Sequence, residues 1–123
     1  MANIFLDTNV LVDALGRGSE QKVLVKLENH DVYVSPLSFH IYCYLFKIKI
    51  PNKRIFEQKD EFNLVPFSDD IVRLALDGPT ADFEDNVQLH SAAFSEADIF
   101  LTEDKDLLKM KFFGRMRVSR DLG

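Results

Sequence analysis

The chain has one cysteine, no tryptophan, five glycines and four prolines among its 123 residues. Its formal charge is negative, and no run of apolar residues is long. Each shortage closes an option. A lone Cys43 cannot form an internal disulfide or a thiolate zinc site within one chain, and it fits a reducing compartment. Scattered Gly and Pro leave no low-complexity tract, no repeat and no linker. The longest uncharged run, Val32 to Phe46, carries Ser35, Pro36, Ser38 and His40. It falls short of the roughly 18 apolar residues of a membrane span. No basic stretch leads into an apolar segment at the N-terminus, so a signal peptide is not expected and the cytoplasm is the expected location. A formal charge of −5 argues against a dedicated DNA-binding module, because neutralising phosphates takes a basic face.

What is present is the composition of an ordinary folded protein, 46% hydrophobic and 28% charged, of a length that suits one domain over residues 1–123. Lys and Arg gather in two stretches, Lys47 to Lys59 and Lys105 to Arg120. Such residues mostly solvate helix surfaces, yet a few beside an acidic cleft could follow a nucleic-acid backbone. Lys105 and Lys109 are the two that best fit that role.

Hydrophobic spacing predicts alternating strands and helices. Ile4 to Leu6 reads as a buried strand, followed by a helix carrying Val10, Leu11, Ala14 and Leu15. A second helix is expected from about Glu20 to Glu28, then a strand over Val32 to Val34. Ser35 and Pro36 cap and open a helix whose Leu37, Phe39, Ile41, Tyr44 and Leu45 are apolar on more than one side, so it should be well buried. Further helices are expected from about Asn52 to Asp60, from Ser68 towards Gly78, from Asp82 through Phe94, and from Asp104 to Lys109. Short strands are expected near Leu64, over Ile99 to Leu101 and over Met116 to Val118. This alternation predicts an α/β fold, a three-layer α/β/α domain with a mainly parallel sheet of four or five strands. The carboxyl ends of such strands share one edge. Asp7 and Asp104 can therefore meet there, and Asp85 can join them from the first turn of its helix.

Taken singly, Asp7, Asp82 and Asp104 each read as helix caps. Taken together, Asp7, Asp85 and Asp104 form a set of carboxylates that would repel one another and raise one another's pKa values unless a cation sat between them. Oxygen donors without Cys favour Mg²⁺ or Mn²⁺, which keep waters and accept phosphate oxygens. Two such ions could activate water and stabilise the departing oxygen in a phosphodiester hydrolysis.

These residues resemble the PIN-domain ribonucleases, and in size and layout the VapC-type toxins, over nearly the whole chain. Ile4-Phe5-Leu6-Asp7-Thr8-Asn9 is similar to the family's opening motif, Asp82-Phe83-Glu84-Asp85 to its helix motif, and Ala97 through Asp104 to its late strand. The resemblance implies metal binding by Asp7, Asp85 and Asp104, with Thr8, Asn9, Asp82 and Thr102 in support. It also implies RNA as substrate, a small antitoxin as partner and a homodimer. One departure stands out. The family usually places a glutamate on the helix after the second strand, where this sequence offers His40, and no Asp or Glu occurs between Asp31 and Glu57. His40 is read first as a satisfied core histidine, with a neutral metal ligand or a phosphate donor as the alternatives. The missing acid keeps open a second function, a catalytically weak or inactive module that binds RNA or protein. A phosphotransferase using Asp7 as nucleophile is a weaker third reading, because Asn9 stands where a second acid is common in such enzymes.

Overall fold

The computed structural model describes residues 1–16 and 26–122. Ile4, Phe5 and Leu6 are fully buried, and their alternation supplies both halves of the interior. Ile4 and Leu6 enter one apolar cluster with Val10, Leu11, Leu15, Val34 and Leu101. Phe5 enters the other, with Ile71, Val87, Leu89, Phe100 and Val118, and its ring stacks on Phe100 with centroids 5.7 Å apart. A strand apolar on both faces must lie inside a sheet covered on both sides.

That strand is β1 (Asn3–Leu6), the third in a six-stranded sheet. In chain order follow α1 (Thr8–Gly16), β2 (Asp31–Val34), α2 (Pro36–Leu45), α3 (Lys53–Lys59), β3 (Asn63–Leu64), α4 (Asp69–Leu76), α5 (Phe83–Phe94), β4 (Ile99–Leu101), α6 (Lys105–Leu108), β5 (Phe112–Phe113) and β6 (Met116–Ser119). The strand order is β3-β2-β1-β4-β6-β5, parallel except for the β5–β6 hairpin. From β1 the chain builds outward through β2 to β3, then returns to the other side of β1 for β4 and β6. The reversal opens a crevice at the carboxyl ends of β1 and β4.

Helix starts follow local side-chain chemistry. Ser35, Asn52, Ser68, Asp82 and Asp104 cap α2, α3, α4, α5 and α6, each accepting a backbone N–H from the first turn. The loop before α5 is held by Asn86. Its amide donates to the Ala75 and Thr80 carbonyls, both at 2.9 Å, and its Oδ1 accepts from the Thr80 N–H at 2.9 Å and hydroxyl at 2.7 Å. His90 adds a bond from Nε2 to the Gly78 carbonyl at 2.9 Å, where the chain turns at a φ of 129° that favours glycine.

The α/β class and the mainly parallel sheet are as expected, with six strands instead of four or five. The extra pairing comes from β5, a two-residue strand whose signal is too short for periodicity. The expected helix from Glu20 to Glu28 falls mostly outside the described residues. Helix α2 is not well buried on several sides. It buries Ser38 and Tyr42, while Tyr44, Leu45 and the following Phe46 are exposed, because the helix packs on α1 and has neighbours on part of its girth. Helix α5 is similarly divided, burying Val87 and leaving Phe94 outside. Among the described residues no helix is long and apolar enough to cross a membrane.

Replacing Asn86 with Ala leaves several buried partners unmatched. We expect a loss of about 3 kcal/mol in urea unfolding, since each buried group left unsatisfied costs about 1–3 kcal/mol. The slope of the transition should stay unchanged.

Candidate active site

The site begins where β1 ends. Asp7 continues the strand ladder by donating its N–H to the Leu101 carbonyl at 3.0 Å, and Thr102 does the same towards Ser119 at 3.0 Å. The two residues are thereby neighbours although β1 and β4 are remote in sequence. Thr102 Oγ1 donates to Asp7 Oδ2 at 2.7 Å, and the same oxygen accepts the Asp104 N–H at 3.0 Å. One buried hydroxyl thus links the first acid to the last. Asp7 Oδ1 accepts the Thr8 N–H at 2.8 Å.

Asp7 is 3% exposed, and burial pushes its pKa up from 3.8 to about 6, opposed by the bonds from Thr102 and Thr8 and reinforced by Glu84 and Asp104. Half-buried Asp85, in the first turn of α5, is pushed up to about 7 by burial first, then by Asp82, Asp7, Asp104 and Glu84. Among the described residues, every charge that shifts these two carboxyls is acidic. Holding Asp7 ionised without a cation costs the fold on the order of 3 kcal/mol at neutral pH.

Asp104 caps α6, with Oδ1 accepting from Asp106 N at 2.8 Å and Leu107 N at 3.1 Å. Asp82 caps α5 through a bond from Asp85 N at 2.9 Å. Asp82 and Asp104 thus cap their helices as expected, whereas among backbone donors of the described residues the Asp7 side chain meets only the adjacent Thr8 N–H. Glu84 was given no role on sequence grounds. Its signal was its place among three acids in four residues at a helix start, where a side chain on the adjacent turn position shares the same edge. Asn9 is exposed in the first turn of α1. Lys105 and Lys109 are exposed at the two ends of α6, and Lys109 pairs with Asp106 at 3.5 Å.

His40 is exposed on α2, which corrects the expectation of a core histidine. The helix places only part of its surface against the protein, and position 40 falls outside that part. Among the described residues no three His, Cys, Asp or Glu side chains converge tightly enough to cage an ion. The donor set nevertheless fits a hard cation by chemistry, since it is all oxygen, acidic and uncompensated. A cation that keeps several of its waters needs only one or two direct carboxylates.

Carboxylates at the switch point of a parallel α/β sheet define a class, acid-site α/β proteins built around the crevice between two central strands. The family is more specific. The PIN domain model matches residues 4–113, and the chain belongs to the PIN domain family. Among solved structures, the chain is similar to one in the crystal structure of VapBC2 from Rickettsia felis bound to a DNA fragment from their promoter. The TM-score is 0.67 at 14% identity, covering 95% of this chain and 97% of that one. No curated protein matches the chain.

The repulsion has a measurable sign. Asp85 holds its proton more tightly folded than unfolded, so its contribution to stability is greatest below 3.8 and is lost as pH rises through about 7. In EDTA, Asp85→Asn should raise Tm by a few degrees at pH 8 and leave it unchanged at pH 3.5, as read by thermal melts.

Proposed function

We propose that this PIN domain is a Mg²⁺- or Mn²⁺-dependent endoribonuclease that acts as the toxin of a toxin–antitoxin pair. The observation that carries the reading is the burial of Asp7 and Asp85 beside Asp104 and Glu84 near the β1/β4 crevice, with no basic group among the described residues shifting either carboxyl. PIN domains are generally nucleases that use divalent ions, and the family match supports that much. The likeness to a VapBC2 chain supports the toxin reading and a small antitoxin partner.

In this reading Asp7, Asp85 and Asp104 are the metal-binding and catalytic carboxylates, and Glu84 adds negative charge beside them. When bound, a divalent cation would lower the pKa of a water and offset charge on the phosphodiester. The chain's own residues do the positioning. Thr102 and the Thr8 N–H fix both oxygens of Asp7, and Thr102 also holds the backbone of Asp104. Asp82 sets the first turn of α5 and so the place of Asp85. Asn9, exposed beside Thr8, is available at the mouth of the crevice. Lys105 and Lys109 both come after Asp104 in sequence and would follow the RNA backbone. The whole of 1–123 would act as one domain in the cytoplasm and pair as a homodimer. Exposed Ile50 and Phe56, which line an apolar groove of about 630 Å³ between α2 and α3, provide surface for a partner chain.

A second reading has its own observation. The chain lacks an acid between Asp31 and Glu57, and His40, exposed on α2, brings no negative charge in its place. The missing negative charge favours a weakly active or inactive module that binds RNA or protein.

The purified protein should cut single-stranded RNA with Mn²⁺ and stop in EDTA. Asp7→Asn should slow cutting by roughly two orders of magnitude or more, the scale of losing one electrostatic contact at a reacting centre. Mn²⁺ at a hundred times its Kd should stabilise the wild type by about 2.7 kcal/mol. Equal cutting by Asp7→Asn sinks the nuclease reading. Mn²⁺ stabilisation without cutting selects the binding module.

A further inference from the structure

Behind the acids runs a line of buried polar side chains to which the proposed reaction gives no task. Thr8 Oγ1 and Ser38 Oγ lie 2.9 Å apart, and Ser38 Oγ donates to Gln88 Oε1 at 3.4 Å. Thr8 is 2% exposed and the other two are fully buried. Ser38 has one proton to give and gives it to Gln88, so the Thr8 hydroxyl donates to Ser38. The three residues come from three helices. Thr8 opens α1 directly after Asp7, Ser38 lies in α2, and Gln88 lies in α5 one turn beyond Asp85.

Stability alone does not account for this line. Buried polar groups cost the fold unless their bonds are complete. Here they are not: Gln88 Nε2 has no partner among the described residues, and neither has the fully buried hydroxyl of Ser91, three residues on. An apolar side chain of similar volume at position 88 would avoid the orphaned donor. What the line does is mechanical. It ties α5 through α2 to the first residue of α1, at the level of the acids. Residues 85 and 88 lie on neighbouring positions of one helix face, so a slide or roll of α5 that moved Asp85 away from Asp7 would strain the same bonds.

We propose that Ser38 and Gln88 are positioning residues, and that the line Thr8–Ser38–Gln88 holds α5 against the start of α1 so that Asp85 stays close to Asp7 and Asp104. The inference rests on reading that acid cluster as the working site, but its geometry is testable without metal or RNA.

The test is a double-mutant cycle in EDTA at pH 8. Asp85→Asn relieves repulsion and raises Tm in the wild-type background. In the Gln88→Met background the acids are free to move apart, and the gain should fall to less than about half. Ser38→Ala should act in the same way, whereas Ser38→Thr, which keeps the hydroxyl, should retain the full gain. Gln88→Met keeps the volume and exchanges the orphaned amide donor for an unpaired Ser38 hydroxyl, so it should melt close to wild type. In Mn²⁺ titrations followed by Tm, Gln88→Met and Ser38→Ala should bind about 10-fold more weakly, the usual effect of losing an outer support of a metal ligand.

An undiminished gain in both backgrounds overturns the inference; where Asp85→Asn gives no gain in the wild type, Mn²⁺ affinity unchanged in both Gln88→Met and Ser38→Ala overturns it. If Gln88→Met does not fold, Ser38→Ala against Ser38→Thr decides. A wild type that binds no Mn²⁺ and leaves RNA intact while the gain still shrinks would remove the nuclease reading and leave the positioning role standing.

Discussion

The pairing of β1 with β4 is the constraint from which the rest follows. Ile4, Phe5 and Leu6 align with Ile99, Phe100 and Leu101, and the ladder carries one residue further to place Asp7 beside Thr102. Both strands are buried on both faces, so a slip by one residue would exchange the two apolar clusters and is strongly disfavoured. The register that the core demands is thus the register that sets the bond from Thr102 to Asp7. Packing and chemistry are fixed by the same alignment.

That alignment imposes a conflict. A carboxylate placed at the buried end of a central strand loses water, and its neighbours Glu84, Asp85 and Asp104 bring more negative charge. The fold softens the conflict with donors aimed at Asp7, from the Thr102 hydroxyl and the Thr8 N–H, and among the described residues no positive side chain acts on it. A domain optimised only for stability would not keep this arrangement, and tolerated strain of this kind is characteristic of working sites. The two apolar clusters and the Asn86 clamp allow it to persist.

Polar residues inside the molecule carry much of the organisation around the acids. Asn86 satisfies four bonds and locks the loop that leads into α5. Gln88, one turn beyond Asp85, reaches the start of α1 through Ser38. Neither announces itself in the sequence, because an Asn or Gln in a helix is ordinarily a solvated residue. The apolar residues misled in the opposite sense. Phe94 and Tyr44 look like core at helical spacing, yet both lie outside, since each helix meets the sheet with only part of its girth.

The sequence by itself determined the strand and helix alternation, the cap residues and the acids placed just past strand ends, because these depend on local period and on side chains reaching their own backbone. It sufficed for the α/β class, for β1 and β4, and for Asp7, Asp82, Asp85 and Asp104 as notable residues. Only the tertiary structure decided that Glu84 shares their field, that His40 faces solvent, that β5 adds a sixth strand, and that Thr102 bridges Asp7 to Asp104. Those outcomes turn on which helix faces and loop ends meet across the sheet, and burial, which raises the Asp7 and Asp85 pKa values, exists only once they have met.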